Sequence, residues 1–243
     1  ETSDTYYLEI TGPFGFDAQY RATYNYLGPL ATTHDGVSPG EASQTTVIDL
    51  SGNELIDSLI SSIKWGGSLS QGVELTYSFP WASTDTAVFL GRNSNLDYSL
   101  ENEHLAEERF GLDAVQQEAF RKALGAWANV ADILFTEVDD TSTNVGEIRT
   151  AFSSDVDQTS SSTGWSYFPS NFWPGGGEIW IKKSQATESW DDGDFNFILL
   201  MHEIGHALGL KHPFEDLITL PSDLQDTRYS IMNYDSYNDI SPV

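Results

Sequence analysis

The sequence predicts an α/β (α+β) fold in which a twisted mixed sheet packs on two long helices. Residues 113–130 place apolar side chains at helical spacing and predict an amphipathic helix of about five turns. Residues 197–208 are largely apolar and predict a second, buried helix. Strands are predicted at 73–79, 133–138, 147–152 and 178–181. Helices and strands in this order are typical of a sheet covered by helices.

The composition limits the classes of partner. The chain of 243 residues has 37 acidic and 11 basic side chains, which give a net charge of −26. Nucleic acid and anionic membranes are therefore unexpected partners, because few cations are available to neutralise phosphates. The chain has no cysteine and hence no disulfide, and no run approaches the roughly 18 apolar residues of a membrane span. The composition fits a secreted protein.

The most informative stretch is HEIGHALGLKHP at residues 202–213, which holds three of the five histidines. His202 and His206 lie four residues apart on the predicted helix, so both imidazoles can reach one ion. Gly209 permits the left-handed conformation that ends a helix, and the turn lets His212 approach from another direction. Three neutral imidazoles leave a fourth zinc position for water, which is typical of a catalytic zinc site.

Glu203 completes the predicted chemistry. It follows its neighbour by about 100° of helical rotation and so lies beside the metal, where it can accept a proton from water. Zinc lowers the pKa of a water that it binds to about 7, which makes hydrolysis feasible near neutral pH. The alternative is a set of histidines without a metal role, and the added spacing of Gly209 and His212 disfavours it.

The extended motif HExxHxxGxxH resembles that of the metzincin clan of zinc endopeptidases. A second feature of that clan is a methionine turn beneath the zinc, and the sequence SIMNY resembles it. Met232 lies twenty residues after His212, and Tyr234 follows two residues later. Pro213 and the lack of cysteine are similar to the serralysin group, with further similarity over roughly residues 45–240. The resemblance implies a metzincin-like catalytic domain with zinc in the cleft.

The resemblance also implies roles for the site residues of a secreted metalloendopeptidase. The three motif histidines would bind Zn²⁺, with Glu203 as general base. Tyr234 would ligate the resting zinc and then hydrogen-bond the tetrahedral intermediate, while Gly209 and Met232 would give structural support. An edge strand would pair with an extended protein or peptide substrate by strand addition. Its residues are Gly177, Glu178, Ile179 and Trp180.

The chain is expected to consist of two parts, a catalytic domain and an N-terminal segment. Residues 45–243 form the predicted serralysin-like catalytic domain, truncated after the methionine turn, with a separate or missing C-terminal calcium-binding repeat domain as a partner. Residues 1–44 are predicted as an extension, a propeptide or an accessory segment, with a linker at 31–46. The resemblance makes Ca²⁺ a second candidate metal, but no clear motif supports it. The acidic run at 191–194 lacks the alternate-position ligands of an EF-hand and fits a solvated loop before a helix better than a calcium loop.

Two other functions stay open at this point. A catalytically silent or autoinhibited binding module would keep the metzincin fold, but the presence of both Glu203 and Tyr234 disfavours it. A zinc hydrolase acting on bonds other than peptides would use the same metal, but the methionine turn disfavours it. Chelator-sensitive cleavage of an unfolded protein would separate the endopeptidase from both.

Overall fold

The computed structural model describes most of the chain. The described parts are the backbone of strands 5–10 and 18–23, and residues 35–67, 69, 71–82, 84–91, 98–99, 101–156 and 162–234. Contacts within the chain divide it into two units, Glu1–Thr33 and His34–Val243. In the first unit, β1 (Thr5–Ile10) pairs with β2 (Ala18–Thr23) in antiparallel fashion.

A six-stranded mixed sheet forms the centre of the second unit. Its strands are β5 (Val73–Ser78), β6 (Arg109–Phe110), β7 (Ile133–Glu137), β8 (Ile148–Ser153), β9 (Gly164–Ser166) and β10 (Ile179–Lys182). The order is β7-β5-β8-β10-β9, and β6 pairs with the end of β8. Strands β5, β7, β8 and β10 are parallel, whereas β6 and β9 are antiparallel to their neighbours. A separate small ladder joins β3 (Thr45–Val47) to β4 (Ile63–Trp65).

Both long helices predicted from the sequence are confirmed. They are α2 (Ala114–Ala128) and α3 (Phe195–Ala207), and a single turn, α1 (Glu54–Asp57), precedes them. A capping box begins α2, because the Asp113 carboxylate accepts from the Gln116 backbone and the Gln116 side chain accepts from the Asp113 backbone. Short 3₁₀ turns lie at Glu103–Leu105, Lys183–Thr187 and Ser222–Leu224. Within the described residues, no helix combines the length and hydropathy needed to cross a bilayer.

Apolar layers cover both faces of the sheet. The main core lies between the sheet and the two long helices, and it contains Ile179 and Ile181 of β10. Trp180 points to the opposite face, where it packs with Ala151 in a smaller cluster. The apolar run of β10 is thus uninterrupted because the strand is buried on both faces, as in parallel sheets covered on two sides.

The prediction that residues 177–180 form an edge strand is wrong. β10 is paired on both sides, with β8 in parallel and with β9 in antiparallel orientation. β9 is the outer strand at this side of the described sheet. The segment predicted as a linker, 31–46, also differs from expectation where it is described, since Val37 pairs with Val145 and β3 begins at Thr45.

Candidate metal centre

The end of helix α3 sets the geometry of the site. Gly209 has a φ of +104°. Its N–H donates to the His206 carbonyl, and the Leu210 N–H donates to the Gly205 carbonyl, both at 2.9 Å. These two bonds define a Schellman motif, which ends the helix and reverses the chain. A Cβ at position 209 would lie 2.3 Å from the Ile63 carbonyl oxygen, so both the backbone conformation and the available space require glycine.

Backbone pairing then fixes the chain that follows the turn. The Ser61 N–H donates to the Gly209 carbonyl at 2.9 Å, and the Lys211 N–H donates to the Leu59 carbonyl at 2.8 Å. The Trp65 indole N–H donates to the Ala207 carbonyl at 2.7 Å, which satisfies an unpaired acceptor in the last turn of the helix. The turn is therefore anchored on both sides, and these contacts place His212, the residue after Lys211, against the face of the helix.

The structure brings the three predicted metal ligands together. The Nε2 atom of His212 lies 3.1 Å from that of His202 and 3.0 Å from that of His206. Nitrogens that bind one tetrahedral zinc ion at 2.0–2.1 Å lie about 3.3 Å apart. Each of the three residues offers a ligand atom within 4.8 Å of the others. The donor set therefore fits zinc with little movement.

The second nitrogen of each ring also has a partner. The Nδ1 of His202 lies 2.8 Å from the Ile231 carbonyl oxygen, and that of His206 lies 2.7 Å from the Leu210 carbonyl oxygen. The Nδ1 of His212 lies 2.8 Å from Glu215 Oε1. An acceptor at Nδ1 places the proton there and leaves the Nε2 lone pair available to a metal. Burial lowers the pKa of His202 and lowers that of His206 to about 3, which favours the neutral rings that bind metal.

Glu203 lies in the interior beside the triad. The side chain is buried, and its Oε2 has no hydrogen-bond partner among the described residues. Burial raises the pKa of Glu203 to about 8. A buried carboxylate oxygen without a partner is costly for the fold. Such an atom is therefore typical of a functional site, where a substrate or water is its partner.

Met232 and Tyr234 lie below and beside the histidines. Met232 is fully buried, and a Cβ on Gly205 would lie 2.5 Å from its sulfur. The thioether therefore packs directly against the helix between the first two ligands. The ring of Tyr234 lies 4.5 Å from that of His212, centroid to centroid, and 64% of the residue is exposed. Partial desolvation and the charges of Glu203 and Glu215 raise the pKa of Tyr234 to about 12, so its phenol keeps its proton.

The predicted substrate-binding residues lie elsewhere. Glu178, Ile179 and Trp180 are buried in the sheet. Glu178 faces the layer opposite helix α3, where its carboxylate accepts from the Tyr98 hydroxyl at 2.5 Å and from the Trp180 indole at 3.1 Å. Gly177 has a φ of +85° and no room for a Cβ, which would lie 2.7 Å from the Trp65 ring. None of these side chains is placed to contact a substrate.

Strand β9 occupies the position that the sequence interpretation gave to β10. A Cβ on Gly164 would lie 3.5 Å from Glu203 Oε1, so the outer strand of the sheet passes directly over the candidate base. From the opposite face, buried Glu103 holds the same strand. Its Oε1 accepts from the Trp165 indole at 2.5 Å and from the Tyr167 hydroxyl at 2.6 Å. Sequence reasoning missed these residues, and a glycine followed by alternating aromatic residues, Trp165 and Tyr167, was the available signal.

The mixed sheet, the two helices and the three-histidine centre with its buried glutamate together define a metzincin-type catalytic domain. Residues 90–237 match the family model described as Matrixin, peptidase family M10, and the chain belongs to this family.

Named relatives agree with this assignment. The chain is 28% identical to Serralysin G of Dickeya chrysanthemi over 194 residues, which are 71% of this chain and 36% of that protein. It is 27% identical to Serralysin of Proteus mirabilis over 166 residues, which are 61% of this chain and 30% of the relative. Serralysin A of D. chrysanthemi is 34% identical over 126 residues, or 50% of this chain and 27% of the relative. The aligned residues thus span about a third of these relatives.

Proposed function

We propose that this chain is the catalytic part of a zinc metalloendopeptidase that acts on proteins outside the cell. The observation that carries the proposal is the convergence of three imidazole Nε2 atoms beside the unpartnered carboxylate oxygen of Glu203. Membership of a peptidase family supports proteolysis as the activity. The extracellular location rests on the serralysin-like motif and on the acidic, cysteine-free composition.

His202, His206 and His212 would hold the zinc ion, which supplies Lewis acidity for the peptide carbonyl and for the attacking water. The residues orient their own rings through the acceptors at Nδ1, so the site is arranged before the metal binds. Burial excludes water from one side of the centre, since His202 and His206 are each only 8% exposed.

Glu203 acts as the general base in this proposal. Its Oε2 accepts a proton from the attacking water and later releases it to the leaving amine. Burial raises the proton affinity of the carboxylate, and the positive charge of a zinc ion held by the triad would keep the group ionised and able to accept a proton. The unpartnered oxygen is already desolvated, so no protein hydrogen bond has to break before the proton is transferred.

Tyr234 stabilises developing negative charge on the substrate carbonyl oxygen in this proposal. Its phenol is protonated at neutral pH and lies at the exposed rim of the triad, close to His212. A hydroxyl in that position can donate to an oxyanion that forms beside the histidines. The exposure of the ring leaves it room to move between a resting and a donating position.

Substrate binding is assigned to β9 in place of β10. β9 has one neighbour, β10, among the described strands, so its other edge is available for an extended peptide. Strand addition pairs the substrate backbone on both sides of the scissile bond and needs no chain terminus. Gly164 brings this strand close to Glu203, which keeps the bound peptide near the base.

The test is cleavage of a fluorogenic peptide that is acetylated at its N-terminus and amidated at its C-terminus. We expect internal cleavage that stops with 1,10-phenanthroline and returns with zinc. Glu203→Gln is the matched control, because it keeps the side-chain volume and all three ligands. Cleavage only of peptides with an unblocked terminus would contradict endopeptidase action. Zinc binding without cleavage of any peptide or unfolded protein would instead support the silent binding module.

A further inference from the structure

The third histidine of the centre is held differently from the other two. His202 and His206 lie on helix α3, and their Nδ1 atoms meet backbone carbonyl oxygens. His212 lies on the loop after the helix, and its Nδ1 meets the side-chain carboxylate of Glu215 at 2.8 Å. The Nδ1 acceptors of the first two rings are backbone carbonyls, whereas that of the third is a single side-chain carboxylate.

The loop that carries Glu215 is well anchored. The Glu215 N–H donates to the His212 carbonyl at 3.2 Å. The ammonium of Lys211 is buried and donates to the Glu215 carbonyl at 2.7 Å and to the Ile218 carbonyl at 3.2 Å. On the other side, the Phe214 ring stacks on His212 with an interplanar angle of 5° and a centroid distance of 5.1 Å. These contacts keep the carboxylate beside the ring and limit the ring's rotation.

We propose that Glu215 is a positioning residue of the metal centre, where its carboxylate fixes the ring orientation and the Nδ1–H form of His212 and thereby raises metal affinity. This inference rests on the proposed function to the extent that the triad binds metal. A carboxylate is a stronger acceptor than the neutral carbonyls that serve the other two histidines. It therefore also makes the His212 imidazole a better electron donor to a metal cation.

Glu215 is needed because the His212 ring is partly exposed to solvent. The side chain of His212 is 12% exposed and lies at the open side of the triad, where water competes for Nδ1. Without the carboxylate, the ring would be oriented only by packing against neighbouring rings, among them Phe214 and Tyr234, and could turn about its side-chain bonds. The carboxylate itself is half exposed, so salt should screen part of its effect. Its contribution to metal affinity is therefore expected to be largest at low ionic strength.

The experiment measures zinc affinity of the metal-free chain by competition with a chromophoric chelator at low and high salt. Glu215→Ala removes the acceptor and the charge, and we expect about a 10- to 100-fold loss of affinity. Glu215→Gln keeps an oxygen that accepts from Nδ1 but removes the charge, so it should restore part of the loss. The matched control is Asp216→Asn, because Asp216 contacts Lys211 but not His212. Its φ of +67° is one that asparagine tolerates.

Thermal unfolding of the metal-free variants checks the fold, and we expect Glu215→Ala and Asp216→Asn to unfold within a few degrees of the wild type. Equal zinc affinity of Glu215→Ala and wild type would overturn the inference while leaving the proposed function intact. An equal loss in Asp216→Asn would also overturn it, since the effect would then belong to loop charge. A wild-type chain that binds no zinc would overturn the inference and the proposed function together.

Discussion

Replacing Gly209 with alanine tests how the turn after helix α3 builds the metal centre. The turn has two separate requirements, a φ of +104° and the absence of a Cβ that would lie 2.3 Å from the Ile63 carbonyl oxygen. Gly193 meets only the first, because its φ is +90° but no atom lies within 4 Å of its Cβ position. Gly193→Ala is therefore a matched control that isolates backbone strain from the clash.

The two variants are expected to lose different amounts of unfolding free energy. Strained φ/ψ alone costs about 1–3 kcal/mol, which is the loss of unfolding free energy expected for Gly193→Ala. In Gly209→Ala the backbone oxygen of Ile63 cannot rotate away as a flexible side chain could. Forcing the chains apart adds about 1–3 kcal/mol, by analogy with overpacked cores. The expected total of about 2–6 kcal/mol is a large part of the roughly 5–15 kcal/mol stability of a typical domain.

The assay combines urea unfolding with zinc affinity. Displacement of the turn also moves His212, and metal ligands must be held within about 0.5 Å of their productive positions. We therefore expect Gly209→Ala to lose at least about 10-fold in zinc affinity, while Gly193→Ala keeps the wild-type value. Equal stability and equal zinc affinity of the two variants would refute the reasoning, because the clash with Ile63 would then be of no consequence.

Three further predictions concern single side chains. Glu203→Gln should bind zinc at the wild-type level but lose about 10²–10⁴-fold in kcat, as for removal of a general base, and near-normal turnover would exclude that role. Tyr234→Phe should lose on the order of 10²-fold in kcat with unchanged zinc content, and loss of zinc would show a structural role instead. Burial raises the pKa of Glu178 from 4.5 to about 8, so the folded state keeps a proton that the unfolded chain releases between those values. Wild-type stability in urea should therefore fall relative to that of Glu178→Gln as the pH rises from about 4.5 to 8, and parallel pH profiles would contradict the shift.

Local patterns predicted most elements of the fold. The strand predicted at 73–79 is Val73–Ser78, and the helix predicted at 113–130 is Ala114–Ala128. Hydrophobic periodicity and an N-cap carry this information within a single segment. The spacing of His202, His206 and His212 likewise led to residues whose Nε2 atoms converge, because a helix and a glycine turn translate spacing directly into geometry.

The order of the strands across the sheet was harder to predict from the sequence. Whether β10 or β9 is the outer strand depends on pairing between segments that are distant in sequence. One signal favoured the interior position, namely the uninterrupted apolar run at 179–181, which is typical of a strand buried on both faces. The edge position of 177–180 was implied by the family resemblance alone, and Gly177 instead serves a tight packing contact with Trp65.

The contacts that orient the histidine ligands could not be predicted from the sequence either. Two of the Nδ1 partners are the backbone carbonyls of Ile231 and Leu210, and a backbone acceptor leaves no mark in residue identity. Gly205 lies against the sulfur of Met232, but a glycine inside a helical motif does not say which side chain occupies its space. These details follow from tertiary packing and require coordinates.

The most direct test of the central claim is a zinc titration of the metal-free chain with cleavage of an unfolded protein as the readout. If the three histidines form one catalytic centre, the cleavage rate should rise linearly with added zinc and reach a plateau at one zinc per chain. Glu203→Gln should bind the same single zinc without gaining activity. Cleavage that is independent of zinc, or a bound zinc that produces no cleavage by the wild type, would contradict the assignment of this centre as the catalytic site of a metallopeptidase.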